Sequence, residues 1–129
     1  MILKIYTDGG SKGNPGPASI GMVFYLNGKR VFHHHESIGV ATNNDAEYTA
    51  LIRALERTRN FRNVKQIQFF SDSRLMVNQV NGIFKVKQGK IKEYILKIRG
   101  LEQEIGLPIV YHLVKREENR EADRLVNQV

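Results

Sequence analysis

The sequence predicts an α/β domain: a mixed five-stranded sheet, three antiparallel hairpin-linked strands plus parallel strands, with helices packed on it. Three observations lead there. Apolar and polar residues alternate through much of the first 40 positions, interrupted by an Asn27-Gly28 pair. From Asn44 onward the apolar period becomes helical, with further short apolar runs between the helical stretches. Two apolar runs, IYTD at residues 5–8 and FFSD at residues 69–72, end alike in a hydroxyl residue and an aspartate. If these are parallel neighbours, Asp8 and Asp72 emerge side by side at their carboxyl ends, the edge where open α/β sheets place their sites.

Taken in order, residues 2–8 form the first strand. The stretch TDGGSKGNPGP (residues 7–17) then crowds four glycines and two prolines around Asp8. Glycines let backbone approach a ligand closely, and prolines hold the turn. This is no P-loop, since it lacks G-x-x-x-x-G-K-[ST] and leads into a strand. Residues 18–26 form the second strand, with Ile20, Met22, Phe24 and Leu26 on one face, and Asn27-Gly28 returns the chain antiparallel over residues 29–39. A helix over residues 44–60 carries Glu47, Leu51, Ala54 and Leu55 on one stripe, capped by Asn43 or Asn44. Residues 64–72 form the fourth strand, and residues 73–80 a short helix closed by Asn81-Gly82. A long helix over residues 90–105 sets Ile91, Tyr94, Ile95, Ile98, Leu101 and Ile105 at helical spacing and stops at Gly106-Leu107-Pro108. Residues 109–114 are the fifth strand, and residues 119–129 a helix with Ala122, Leu125, Val126 and Val129 inward.

No repeat or linker divides the chain, so residues 1–129 are expected to form a single domain. No run approaches the ~18 apolar residues of a membrane span, and MILKIYTD lacks the apolar region and cleavage site of a signal peptide. The absence of cysteine excludes a disulfide framework, a thiol nucleophile and a Cys-ligated zinc, and fits a cytoplasmic protein. Twenty Lys+Arg against thirteen Asp+Glu give a net charge of +7. That balance suits a polyanion, nucleic acid being the commonest, although a merely solvated basic surface would carry it too.

Four acids sit where a purely structural role is awkward. Asp8 and Asp72 end buried strands, Glu47 shares the inward stripe of its helix, and Asp123 lies between Ala122 and Val126 in the last helix. Singly, each has an ordinary explanation: a cap for Asp8 or Asp72, the helix dipole for Glu47, a surface pair with Arg120 or Arg124 for Asp123. Together, four carboxylates at one sheet edge would repel unless a cation sat among them. Hard oxygen ligands without cysteine call for magnesium or manganese rather than zinc.

The blocks TDGGSKGNPGPASIG, ATNNDAEYTAL, FFSDSRLMVNQVNG with FKVK after it, and REENREADRLVN resemble the type 1 ribonuclease H family in order and spacing, over essentially the whole chain. The resemblance implies a ribonuclease H-like fold and a quartet of Asp8, Glu47, Asp72 and Asp123, both catalytic and metal-binding. Asp8 would bridge two Mg2+ ions, with Glu47 and Asp72 on one and Asp123 on the other, and Mn2+ as the alternative ion. The implied partner is an RNA/DNA hybrid, whose RNA strand is hydrolysed to 3′-hydroxyl and 5′-phosphate ends by a monomer needing no protein partner. Gly9 and Gly10 would lie against substrate. Asn14, Asn43 and Asn44 would contact the shallow minor groove, whose 2′-hydroxyls distinguish RNA from DNA. Arg74 stands where the family commonly has a glutamine facing that groove, and Thr42, with Gln88, would hold a DNA phosphate.

Two departures from the family pattern bear on activity. Many members carry a histidine in the loop before the last helix, where this chain has Val114-Lys115-Arg116-Glu117-Glu118. Lys115 or Arg116 would position a phosphate there, but neither shuttles protons at neutral pH as histidine does. The basic, tryptophan-containing insertion of some relatives is also missing, which leaves hybrid affinity to dispersed charge such as Lys85, Lys87, Lys90 and Lys92. A hybrid-binding module without turnover is therefore one rival, a related nuclease such as a junction-resolving enzyme a second, and a structural protein with incidental acids a third. The triplet His33-His34-His35 reads as a polar strand of the hairpin, since only alternate residues share a face.

Overall fold

The computed structural model describes residues 1–128. Five strands, β1 (Ile2–Ser11), β2 (Gly16–Leu26), β3 (Lys29–Ala41), β4 (Gln66–Ser71) and β5 (Ile109–Leu113), form one sheet in the order β3-β2-β1-β4-β5. β1–β2 and β2–β3 pair antiparallel, whereas β1–β4 and β4–β5 pair parallel. The helices are α1 (Asn43–Arg57), α2 (Arg74–Val80), α3 (Gly89–Ile105) and α4 (Arg120–Val126). This is the expected mixed sheet. Among the described residues no helix is long and apolar enough to cross a membrane.

Strand alternation divides the helices between two faces. Leu3, Ile5, Ile20, Met22, Phe24, Ile67 and Phe69 point to one side, where Leu51 and Leu55 of α1 and Ile91, Ile98 and Leu101 of α3 complete the buried core. The other side holds α4, which lies against β1 and β2. Two glycines permit this layering. A Cβ on Gly9 would lie 2.3 Å from the Ala46 carbonyl in α1, and one on Gly21 would lie 2.7 Å from the Ala122 oxygen in α4.

The β2–β3 hairpin turns as expected. Asn27 and Gly28 both have positive φ (51° and 76°), as a two-residue primed turn requires. Other boundaries differ from expectation, each for a physical reason. β1 runs on through Gly9, Gly10 and Ser11 because β2 begins at Gly16 and pairs with it as far as Ser11↔Ala18. Asp8 is thus within a strand, opposite Gly21, rather than at its end. β4 stops at Ser71, leaving Asp72 just beyond it, and Ser73 caps α2 by accepting from the Met76 N–H.

α1 is capped by Thr42, not by Asn43 or Asn44. The Thr42 hydroxyl accepts from the Asp45 N–H at 3.0 Å, and the Asp45 carboxylate accepts from the Thr42 N–H at 3.3 Å, a reciprocal capping box. α4 is shorter than expected, ending at Val126. The inward position foreseen for Val129 lies outside the described residues.

Candidate active site

The β1–β4 pairing ends at Tyr6↔Phe70, and past that point the two strands release Asp8 and Asp72 side by side. Glu47 arrives from the second turn of α1. One carboxylate oxygen from each of Asp8, Glu47 and Asp72 lies within 4.8 Å of the others. Asp123, from α4, adds its charge beside Asp8. It is also 3.7 Å from the Arg116 guanidinium rather than paired with Arg120 or Arg124; Arg124 binds Glu121 instead, at 2.7 Å.

The electrostatics of this cluster are unfavourable without a cation. Burial, then the charges of Asp72 and Asp123, push the Asp8 carboxyl up to about 8, against a smaller opposing pull from the Gly9 amide. Glu47 is raised well above the ordinary glutamate range by burial and then by Asp8 and Asp72. The Gly9 N–H, donating to Glu47 Oε1 at 3.0 Å, and the Arg116 charge offset only part of this. Buried carboxylates facing one another are stabilised most directly by a shared cation. An all-oxygen donor set of this kind fits magnesium or manganese.

An open groove of about 1090 Å³ runs over the cluster, lined by all four acids and by Gly9, Gly10, Asn43, Arg74, Lys115 and Arg116 among others. Asn14 joins it through a bond: its side-chain oxygen accepts from the Asn43 N–H at 2.9 Å. The Asn43 side-chain oxygen accepts in turn from the Ser11 N–H at 2.9 Å. Both side-chain oxygens are thus engaged within the protein, which leaves the NH2 groups as the hydrogen-bonding capacity these asparagines retain.

Thr42, Asn44 and Gln88 stand apart from the groove lining. Thr42 is at the start of α1, and Gln88 is the residue before α3. The two helix starts are tied together through Asp45, which accepts from the Tyr94 hydroxyl at 3.0 Å and pairs with Lys90 at 3.2 Å. His33 and His35 are exposed on β3, while His34 turns the other way and lies 3.2 Å from Glu36.

Sequence patterning missed three contributors. Gly21 makes room for α4, Ser19 donates to the Val126 carbonyl at 2.7 Å, and the buried Asn119 donates to the Thr7 carbonyl at 2.9 Å. Asn119 precedes Asp123 by one helical turn, but that spacing alone does not mark it as buried against β1.

A family model described as reverse transcriptase-like matches residues 6–129. The ribonuclease HI of Halobacterium salinarum is 37% identical over 127 residues, covering 98% of this chain and 63% of that protein. The chain belongs to the type 1 ribonuclease H family. A bifunctional protein of Mycobacterium tuberculosis is 36% identical over 129 residues, and the chain spans 35% of its length. Among solved structures, LC11-RNase H1 in complex with an RNA/DNA hybrid superposes with a TM-score of 0.93 at 41% identity, covering 98% of this chain and 95% of that one. The ribonuclease H1 of Halobacterium salinarum gives 0.92 at 35% identity, with coverages of 99% and 96%. The ribonuclease H fold expected from the four sequence blocks is therefore the fold observed.

Proposed function

We propose that this type 1 ribonuclease H domain is a divalent-metal-dependent endoribonuclease, acting as a cytoplasmic monomer on the RNA strand of RNA/DNA hybrids. The observation that carries the proposal is the packing of Asp8, Glu47 and Asp72 within 4.8 Å at the floor of a groove edged by asparagine amides and basic side chains. The similarity to LC11-RNase H1, solved with a hybrid bound, supports the substrate class.

In this reading a water oxygen bonds to phosphorus while the bond from phosphorus to O3′ breaks, leaving 3′-hydroxyl and 5′-phosphate ends. Two bound Mg2+ ions, or Mn2+ in their place, would lower the pKa of that water and stabilise the departing oxygen. Asp8, clustered with Glu47 and Asp72 and also acted on by Asp123, would be the carboxylate best suited to be shared. Asn14 and Asn43 offer NH2 donors to acceptors in the minor groove, 2′-hydroxyl oxygens included. Asn44, beside Asn43 in the first turn of α1 but outside the groove lining, would reach the hybrid only beyond that edge. Arg74 brings only donors, where a glutamine would also accept. Thr42 and Lys90, both bonded to Asp45, would hold a phosphate of the DNA strand together with Gln88, the residue before α3. Lys115 and Arg116 would steady the RNA phosphate across the groove.

Gly10 distinguishes substrate contact from internal packing. A Cβ there meets nothing nearer than Val126 at 3.8 Å and Asn43 at 4.0 Å, so the folded protein accommodates a methyl group. Gly10→Ala is expected to leave the melting temperature unchanged while raising the KM for hybrid roughly tenfold, the scale of one misfitted methylene in a site. Steady-state kinetics and a thermal melt check both halves. The substrate class itself is tested by offering end-labelled hybrid, single-stranded RNA and duplex DNA in parallel. Cleavage confined to the RNA of the hybrid, with 3′-hydroxyl ends, is expected; equal cleavage of duplex DNA would contradict the assignment.

A further inference from the structure

β1 outlasts its parallel neighbour β4, and three of its backbone groups beyond Tyr6↔Phe70 are taken by side chains. The Thr7 carbonyl accepts from Asn119 Nδ2 at 2.9 Å, the Gly9 N–H donates to Glu47 at 3.0 Å, and the Ser11 N–H donates to Asn43 at 2.9 Å. Glu47 belongs to the carboxylate cluster, and Asn43 lines the groove. Asn119 does neither. It is 1% exposed, and its side-chain oxygen has no hydrogen-bond partner among the described residues, so this amide is buried for a single side-chain bond. Burying an amide half-satisfied is unfavourable.

The bond joins the residue just before α4 to the residue just before Asp8. One turn further on, the Asp123 N–H donates to the backbone carbonyl of Asn119 at 3.1 Å. Two successive hydrogen bonds therefore run from β1, beside Asp8, to Asp123. α4 has only seven residues, far below the length at which a helix holds itself in water. Its place is set by tertiary contacts: Ala122 against Gly21, the Val126 carbonyl on Ser19, and Asn119 at its start.

We infer that Asn119 is a positioning residue that sets the Asp123 carboxylate against Asp8, and so fixes the spacing of the metal-binding cluster; this rests on the metal-dependent function proposed above. A merely structural amide would support the fold without regard to Asp123. The two roles separate experimentally.

Asn119→Leu keeps the bulk and removes the donor. Asn119→Ser suits a helix start but is too short to reach the Thr7 carbonyl. Substrate-free protein is titrated with Mg2+ by calorimetry, melted, and assayed for hybrid cleavage across Mg2+ concentrations. Both variants are expected to bind Mg2+ about tenfold more weakly, the lower end of the range for losing a group that orients a metal ligand. The Mg2+ concentration for half-maximal cleavage rises in parallel, and the KM for hybrid moves less than about twofold. In an Asp123→Asn background the same substitutions change Mg2+ affinity less than about twofold, because the two residues act together. Unchanged Mg2+ affinity in the folded variants, or equal losses with and without Asp123, would overturn the inference. Wild-type protein that binds Mg2+ but cleaves no hybrid would defeat the proposed reaction, while the calorimetric comparison would still decide the role of Asn119.

Discussion

Asp8→Asn is expected to lower hybrid cleavage by on the order of 10³-fold or more, and yet to melt higher than the wild type at pH 8.5 in the absence of divalent cations. The substitution keeps the shape of the side chain and removes a charge that burial, Asp72 and Asp123 all disfavour. Asp8 holds its proton up to about 8 in the folded chain, against an ordinary value near 3.8 when unfolded. The stability contributed by that bound proton is fully present below about 4 and is lost as pH rises through about 8. Glu47, raised by the same causes, acts in the same direction. The metal-free wild type should therefore melt progressively lower from pH 6 to pH 9, and Asp8→Asn should show less of that slope. On the proposed function, Mg2+ would compete with protons for these oxygens, so its addition should raise the wild-type melting temperature more at pH 8.5 than at pH 6. Calorimetric scans at both pH values, with and without Mg2+, check each part. A variant less stable than wild type at every pH would mean that the Asp8 carboxylate is not strained by its neighbours.

Gly9→Ala should be among the most damaging single-methyl additions in the molecule. The added Cβ would lie 2.3 Å from the carbonyl carbon and oxygen of Ala46 and 2.7 Å from the Glu47 nitrogen. These are backbone atoms of α1, which no rotamer change can move aside. α1 must shift as a body, although Tyr48, Leu51 and Leu55 lock it into the core. Overpacking of this kind costs about 3 kcal/mol, which for a domain of this size lowers the melting temperature by roughly 10 °C. The shift also carries Glu47 away from the Gly9 N–H and from Asp8, so Mg2+ affinity should fall with stability. Gly10→Ala, one residue along, should do neither. A Gly9→Ala protein that melts with the wild type would show that α1 and β1 are not in the contact described.

The contrast between Gly9 and Gly10 shows what the sequence could reveal. Both appear in one glycine-rich stretch, and both were expected to lie against a ligand. Only the packing shows that Gly9 lies against α1, while Gly10 has space beside it. The fold was legible because its signals are local. Asn27-Gly28 dictates a hairpin, helical spacing of apolar residues dictates α1 and α3, and the matching ends IYTD and FFSD anticipate parallel neighbours. Errors arose where a tertiary partner decides. Glycines after Asp8 looked like a turn, yet β2 is long enough to keep them in a strand. Asn43 seemed a suitable cap, but its oxygen is engaged by Ser11, and Thr42 pairs with Asp45 instead. The ordinary alternative for Asp123, a pair with Arg120 or Arg124, also gives way to a tertiary partner, since Arg116 approaches from the preceding turn. The four carboxylates could be identified from the misplacement of their charges. Asn119 could not, because a polar residue at a helix start gives no hint that it is buried against a strand 112 positions away.

The most direct measurement follows the RNA strand of an end-labelled RNA/DNA hybrid incubated with wild-type protein and with Asp72→Asn, each with Mg2+ and with a chelator. Cleavage by the wild type in Mg2+ alone, lost with the chelator and with Asp72→Asn although the variant still binds hybrid, is the expected result. Hybrid that is bound by the wild type but stays intact in both Mg2+ and Mn2+ would contradict it, and would make the domain a hybrid-binding module without turnover.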